Sequence, residues 1–207
     1  MATIRFTSNS RMVFFYLLSY TAWMEKKFLP ELIKAPRVSL KKLSVDLAQI
    51  MFEYVAEDRD RLGRFLPWPQ MILTVNDEID FVKRCNDSWE KQEGASYGIF
   101  RNSDNEYMGN INAFSFNWTY ESSEIGYWIL GKFEGHGYMT EAVTSLEKTL
   151  FDMGFNRVVI RFDPQNKRSG SIPNRLGYHD EGTLRQALKV NDTFRDLKVF
   201  SKIKADL

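Results

Sequence analysis

The segment Gly131-Lys-Phe-Glu-Gly-His-Gly-Tyr-Met-Thr-Glu-Ala142 follows an apolar strand and opens an amphipathic helix. Gly135 and Gly137 stand just ahead of that helix. Without a Cβ, glycine lets the backbone turn tightly and lets a bulky anion approach main-chain N–H groups. The first turn of a helix has about four N–H groups without intrahelical partners, and the macrodipole adds roughly half a positive charge there. The pattern therefore reads as a diphosphate cradle. The competing reading of a lone Gly-x-Gly loop is a tight turn that lets a helix pack on a sheet.

Moving outward, Ala142, Val143, Leu146, Leu150 and Met153 recur at three- and four-residue spacings, which predicts a helix with one face against a core. Gly154 ends it, and Arg157-Val-Val-Ile-Arg-Phe162 reads as a buried strand. The unit is thus strand, glycine loop, helix, strand. One strand downstream lie Asn166-Lys-Arg-Ser169, Ile172 and Arg175-Leu-Gly-Tyr178.

Together with the loop, these downstream residues resemble the Gcn5-related N-acetyltransferase (GNAT) family. In that family the loop pattern is Gln or Arg, two residues, Gly, one residue, then Gly or Ala, and it binds the pyrophosphate of acetyl-CoA. The matching positions here are Glu134, Gly135, His136, Gly137, Tyr138 and Met139. Both ends depart from the pattern: Glu134 sets a negative charge beside a diphosphate, and Met139 sets a bulky side chain where Gly or Ala is usual.

The resemblance extends to Arg61-Leu-Gly-Arg-Phe-Leu-Pro-Trp-Pro69, Ser123-Glu-Ile-Gly-Tyr-Trp-Ile129 and Asn156-Arg-Val-Val-Ile-Arg161, which are similar to the RimJ/RimL-type branch. That branch acetylates N-terminal residues of ribosomal proteins. The resemblance implies an α/β (α+β) fold, a mixed, mostly antiparallel sheet with a central splayed strand and helices on both faces. It also implies acetyl-CoA as cosubstrate and direct transfer in a ternary complex. The acceptor it implies is a protein N-terminus; the same fold also serves small-molecule amines.

The resemblance further assigns roles. Glu124 aligns with the glutamate of the splayed strand and is the candidate general base; a solvated strand-end carboxylate is the competing reading. Ser169 matches the serine proposed to protonate the leaving thiolate, with a helix cap as the alternative. Asn166 is expected to meet the pantetheine arm, as is the backbone of Trp128 and Ile129, while Thr140 and Arg168 join the loop in holding the cofactor. Trp68 is a candidate for the acceptor pocket or an aromatic plug over the core. In many relatives a tyrosine acts four residues after the serine position; here that position is Pro173. A proline there removes a donor and should shorten or kink the helix, displacing Ser169. Glu134, Met139 and Pro173 together motivate a different class of reading, an acetyl-CoA-binding module with weak or no activity.

An acetyl thioester and an amine need little catalytic machinery if the amine is neutral. An α-amino group, with a pKa near 7.7–8.0, is roughly ten per cent neutral at pH 7, whereas lysine, near 10.4, is on the order of a thousandth neutral. A modest base suffices for an N-terminus.

Composition narrows the classes. The chain has 207 residues and a formal net charge of +1, with no strongly basic block, so electrostatics do not imply nucleic acid. Cys85 is the single cysteine, which excludes an intrachain disulfide, and two histidines argue against a histidine-rich metal site. No metal is expected, and a reducing cytoplasm fits. A nucleophilic Cys85 is weighed against a structural thiol, and the structural reading is favoured because no histidine is near it in sequence.

Residues 1–35 are read as an N-terminal extension and 36–207 as one acetyltransferase domain. Within the extension, Met12-Val-Phe-Phe-Tyr-Leu-Leu-Ser-Tyr-Thr-Ala-Trp23 superficially resembles a signal-peptide core but is shorter than the roughly 20 apolar residues of a membrane span. Its aromatic residues would instead cover the sheet or a partner in a homodimer. Elsewhere, Arg37-Val-Ser-Leu-Lys-Lys-Leu43 is the expected first strand, and helices are expected from Asp46 and from a cap at Asn76 or Asp77. Strands follow at 97–101, 107–118 and 122–130, and a final hairpin turns at Asn191-Asp192.

Overall fold

A computed structural model describes residues 28–207. The aromatic segment 12–23 lies outside the described residues. One eight-stranded sheet runs through the molecule in the order β1-β2-β3-β4-β5-β6-β8-β7. Its strands are β1 Leu32–Lys34, β2 Val38–Lys42, β3 Ala95–Arg101, β4 Tyr107–Asn117, β5 Ser122–Ile129, β6 Arg157–Phe162, β7 His179–Val190 and β8 Thr193–Ile203. The expected first strand is therefore the second, because Leu32–Lys34 already pairs antiparallel with it.

Among the described residues only β5 and β6 pair in parallel, and they do so over three residues, Ser122–Glu124 against Arg157–Val159. Beyond Glu124 the two strands separate, opening a V in the middle of the sheet. The helix that must connect two parallel strands is α4, Tyr138–Met153; the earlier helices are α1 Ala48–Glu57, α2 Arg59–Leu62 and α3 Val75–Glu90, and α5 is Lys167–Arg175.

Consecutive residues Tyr107, Met108, Gly109, Asn110 and Ile111 of β4 are all buried. Neighbouring strand residues face opposite sides, so the helices cover both faces of the sheet here. In α4 the predicted stripe is buried at Ala142, Val143, Leu146 and Leu150, and Met139 and Phe151 join it. Gly154 closes the helix in a left-handed conformation, φ 108°. Glu147 also points inward, where Lys202 Nζ reaches it at 2.8 Å.

The cap of α3 differs from expectation. Thr74 is the N-cap, and Thr74 and Asp77 form a reciprocal capping box. The first helical region begins with a 3₁₀ turn, Val45–Leu47, capped by the Ser44 side chain before α1 proper. The final hairpin turns where expected, with Asn191 and Asp192 both at positive φ.

Pro173 lies inside α5, which runs from Lys167 to Arg175 without ending at the proline. Of the two expected effects, shortening or kinking, the helix is not shortened at that point. Gly170 lets α5 lie close on β6, since a Cβ there would meet the Phe162 ring at 2.4 Å.

Candidate active site

The V between β5 and β6 forms the floor of a cleft of about 1220 Å³. The glycine loop and the start of α4 lie along it, as does the first turn of α5. The segment 64–67 and the β7–β8 hairpin, through Ala187, Leu188 and Leu197, supply apolar wall. Asn191 at the hairpin turn donates through Nδ2 to the Gly63 carbonyl at 3.2 Å, tying those two walls together.

Gly135 and Gly137 have φ of 81° and 80°, a region that side-chain-bearing residues rarely adopt. Among the described residues beyond its chain neighbours, nothing lies within 4 Å of where a Gly135 Cβ would stand. Gly137 is the N-cap of the 16-residue α4, and among the described residues no side chain caps that helix. The first-turn N–H groups are thus left for an external acceptor, so the loop fits a diphosphate. Its conformation is braced from outside by Arg37, which donates to the His136 carbonyl at 3.0 Å and pairs with Glu141 at 2.8 Å. The Arg37 guanidinium also lies 5.2 Å from the Tyr138 ring centroid, and Tyr138 stacks on His136.

Both departures in the loop have structural partners. Glu134 does not stand as an isolated negative charge, because Arg61 Nη1 reaches it at 2.5 Å and Arg168 pairs with its other oxygen. Met139 is only 7% exposed and packs into the core. It also lines the cleft beside the glycine loop.

Arg61 is the hub of this edge. It also pairs with Asp58 and donates from Nη2 to the Ile129 carbonyl at 2.6 Å, while Asp58 accepts from the Gly131 N–H at 2.9 Å. Consequently the Ile129 carbonyl, expected to serve the pantetheine arm, is already engaged by protein. Asn166 is similarly committed in part: its Oδ1 accepts from the Ser169 N–H at 3.1 Å, making Asn166 rather than Ser169 the N-cap of α5. Thr140 Oγ1 accepts from Arg175 Nη1 at 2.8 Å.

Glu124 lines the cleft at the point where β5 and β6 part, and Arg161 of β6 holds both its oxygens. The pair keeps the Arg161 guanidinium pKa above its ordinary value through that hydrogen bond. Ser169 lines the opposite side and is reached from β5 by Tyr127, whose Oη lies 3.4 Å from Ser169 Oγ and donates to the Ser169 carbonyl at 3.0 Å. Behind α5, the buried Asp163 accepts from the Gln165 N–H at 2.8 Å and pairs with Arg195 at 2.9 Å, fixing the turn from β6 into the helix.

Trp68 packs its ring against Trp128, 5.8 Å between centroids, at the edge of the core. The neighbouring Phe65, Leu66 and Pro67 line the cleft instead. Cys85 is half-buried in α3 and its thiol pKa is pushed up by burial, which disfavours a thiolate. Among the described residues there is no cluster of His, Cys, Asp and Glu suited to a metal, and no helix long and apolar enough to cross a membrane.

Sequence reasoning assigned no role to Arg37, Asp58, Arg61, Tyr127, Arg161 or Asp163. Arg61, Tyr127 and Arg161 fall inside the quoted motifs, which was the available signal. Arg37 has its carboxylate partner 104 residues away, and Asp58, besides its neighbour Arg61, serves the Gly131 N–H 73 residues away, contacts that no local pattern marks.

Residues 37–179 match the acetyltransferase (GNAT) domain family. The protein YdaF of Bacillus subtilis (strain 168) is 27% identical over 174 residues, 82% of this chain and 92% of that one. The ribosomal-protein-serine acetyltransferase of Escherichia coli (strain K12) is 25% identical over 154 residues, covering 74% and 85%. Among solved structures, a RimL ribosomal L7/L12 alpha-N-protein acetyltransferase in complex with coenzyme A superposes with a TM-score of 0.81 at 22% identity, over 86% of this chain and all of that one.

Proposed function

Since the chain belongs to the GNAT acetyltransferase family and uses acetyl-CoA, we propose that its acceptor is the N-terminal α-amino group of a ribosomal protein with a small polar first residue. The observation that carries the acceptor class is the similarity, over most of both chains, to a relative named for ribosomal-protein serine acetylation. The chemistry of the cleft supports the same reading. Glu124, with both oxygens on Arg161, is suited to accept a proton through a water from an amine that is already partly neutral. A lysine side chain would demand a far stronger base.

The bound cosubstrate supplies an acetyl group activated as a thioester. The uncapped first turn of α4, with Gly135 and Gly137, holds its diphosphate, and Arg168 lies beside that cradle. Arg61 and Glu134 brace the loop rather than touch the reacting atoms. Ser169 provides the hydroxyl that returns a proton to the departing thiolate. Transfer is direct, within a ternary complex, and the raised thiol pKa of Cys85 argues against an acetyl-cysteine route.

The test is to incubate the protein with acetyl-CoA and synthetic ribosomal-protein N-terminal peptides beginning with Ser or Ala, following free thiol and peptide mass. Acetylation confined to the α-amino group is expected. Turnover only with small amines such as polyamines, or only on lysine side chains, would overturn the acceptor assignment. Acetyl-CoA binding without turnover on any amine would favour the binding-module reading.

A further inference from the structure

Pro173 creates a defect in α5 that lies directly under Ser169. In a regular helix the N–H of residue 173 would donate to the carbonyl four residues earlier, which is that of Ser169; proline has no N–H. The turn before it is intact, since the Gly170 N–H donates to the Asn166 carbonyl at 3.0 Å. The orphaned Ser169 carbonyl accepts instead from Tyr127 Oη at 3.0 Å, from the strand across the cleft. The same Oη lies 3.4 Å from Ser169 Oγ, where it can accept from that hydroxyl.

We propose that Tyr127 is a positioning residue for Ser169: its phenol replaces the peptide donor missing at Pro173 and thereby fixes both the main chain and the hydroxyl rotamer of the serine. Three observations converge on this. A half-buried carbonyl without a donor is unfavourable, so the phenol satisfies a need created by the sequence itself. Burial pushes the Tyr127 pKa up to about 12, so the phenol remains an O–H donor across physiological pH. Its proton goes to the carbonyl, leaving an oxygen lone pair as the contact for the Ser169 hydroxyl. Tyr127 lies on β5, one arm of the V, and Ser169 on the helix that follows β6, the other arm, so the bond also ties the two sides of the cleft together.

The proposal rests on the assignment of Ser169 as proton donor, and the experiment separates the two. Tyr127→Phe, Ser169→Ala and the double variant are compared with wild type in steady-state kinetics on the peptide or amine acceptor turned over by the wild type. Hydrogen exchange across α5 is measured on the same proteins without acceptor. Tyr127→Phe is expected to lower kcat about tenfold with little change in KM for acetyl-CoA, and to speed exchange in α5. In the Ser169→Ala background the same change should cost nothing further in kcat, because Tyr127 acts through the serine. Pro173→Ala restores a peptide donor, so adding it to Tyr127→Phe should recover part of the lost kcat and slow the exchange. Equal losses from Tyr127→Phe with and without the Ser169 hydroxyl would overturn the proposal while leaving the serine assignment standing. Unchanged kcat and exchange in Tyr127→Phe would do the same. If Ser169→Ala alone retains full kcat, the serine assignment fails and the catalytic role of Tyr127 falls with it.

Discussion

Arg161 grips Glu124 in a two-pronged pair, Nε to Oε1 at 2.8 Å and Nη2 to Oε2 at 2.6 Å, at the point where β5 and β6 separate. The guanidinium fixes the carboxylate plane at the mouth of the V, and the carboxylate keeps only 13% of its side-chain surface exposed. Such geometry suits orientation and proton relay through water better than direct abstraction from a lysine.

Glu124→Gln should therefore lower kcat by about 10²-fold near pH 7 while leaving acetyl-CoA affinity intact. The deficit should narrow as pH rises past about 8, where an α-amino acceptor is already neutral. Steady-state kinetics across pH would check this; a deficit constant at every pH would argue that the carboxylate only orients.

The two partners in the glycine loop should behave differently. Arg61→Ala removes the donor that links Asp58, Glu134 and the Ile129 carbonyl, so both thermal stability and acetyl-CoA affinity should fall, the former by about 1–3 kcal/mol for the partly buried network. Glu134→Gln keeps the shape and removes the charge, so affinity should hold or improve at low salt. Calorimetry with acetyl-CoA at two ionic strengths, alongside thermal unfolding, distinguishes the outcomes.

Gly135→Ala tests the cradle directly. Its Cβ meets no atom of the described residues beyond its chain neighbours within 4 Å, so the fold should lose only the cost of a left-handed alanine, about 1–2 kcal/mol. The methyl group nevertheless points into open space beside the loop N–H groups. Acetyl-CoA affinity should drop more than stability does, and isothermal titration against a melting curve would show it.

Glu78 offers a pH signature away from the cleft. It is 2% exposed on α3, and burial, with a smaller contribution from the charge of Asp77, raises its pKa from 4.5 to about 7. The folded state thus binds more protons than the unfolded state between these values. The contribution to stability is fully present below about pH 4.5 and is lost as pH rises through about 7. Glu78→Gln should raise Tm by about 3 °C or more at pH 8, with a smaller difference at pH 5. Scanning calorimetry at the two pH values would measure it.

Much of the architecture could be read from local pattern. The stripe from Ala142 to Leu150, the stop at Gly154 and the turn at Asn191-Asp192 depend on periodicity and backbone conformation, which neighbouring residues largely dictate. The cap of α3 is ambiguous in the sequence because Thr74, Asn76 and Asp77 all have capping side chains within one turn; Thr74 prevails through the reciprocal bonds with Asp77. Leu32–Lys34 escaped notice as a strand because its three residues are too few to show a period, and pairing with β2 alone makes them one.

The site divides along the same line. The sequence alone determined that a glycine loop precedes an amphipathic helix between two strands, since that follows from residues adjacent in the chain, and it left the loop readable as an anion cradle or as a tight packing turn. Only the tertiary structure decided what the anomalous residues do. Glu134 is neutralised by an arginine 73 positions away, Glu124 is gripped from 37 away, and the carbonyl orphaned by Pro173 is served by a phenol 42 residues upstream of Ser169. Whether a charge or a missing donor weakens a site depends on which partner folding brings within about 3 Å, and a one-dimensional pattern carries no record of that distance.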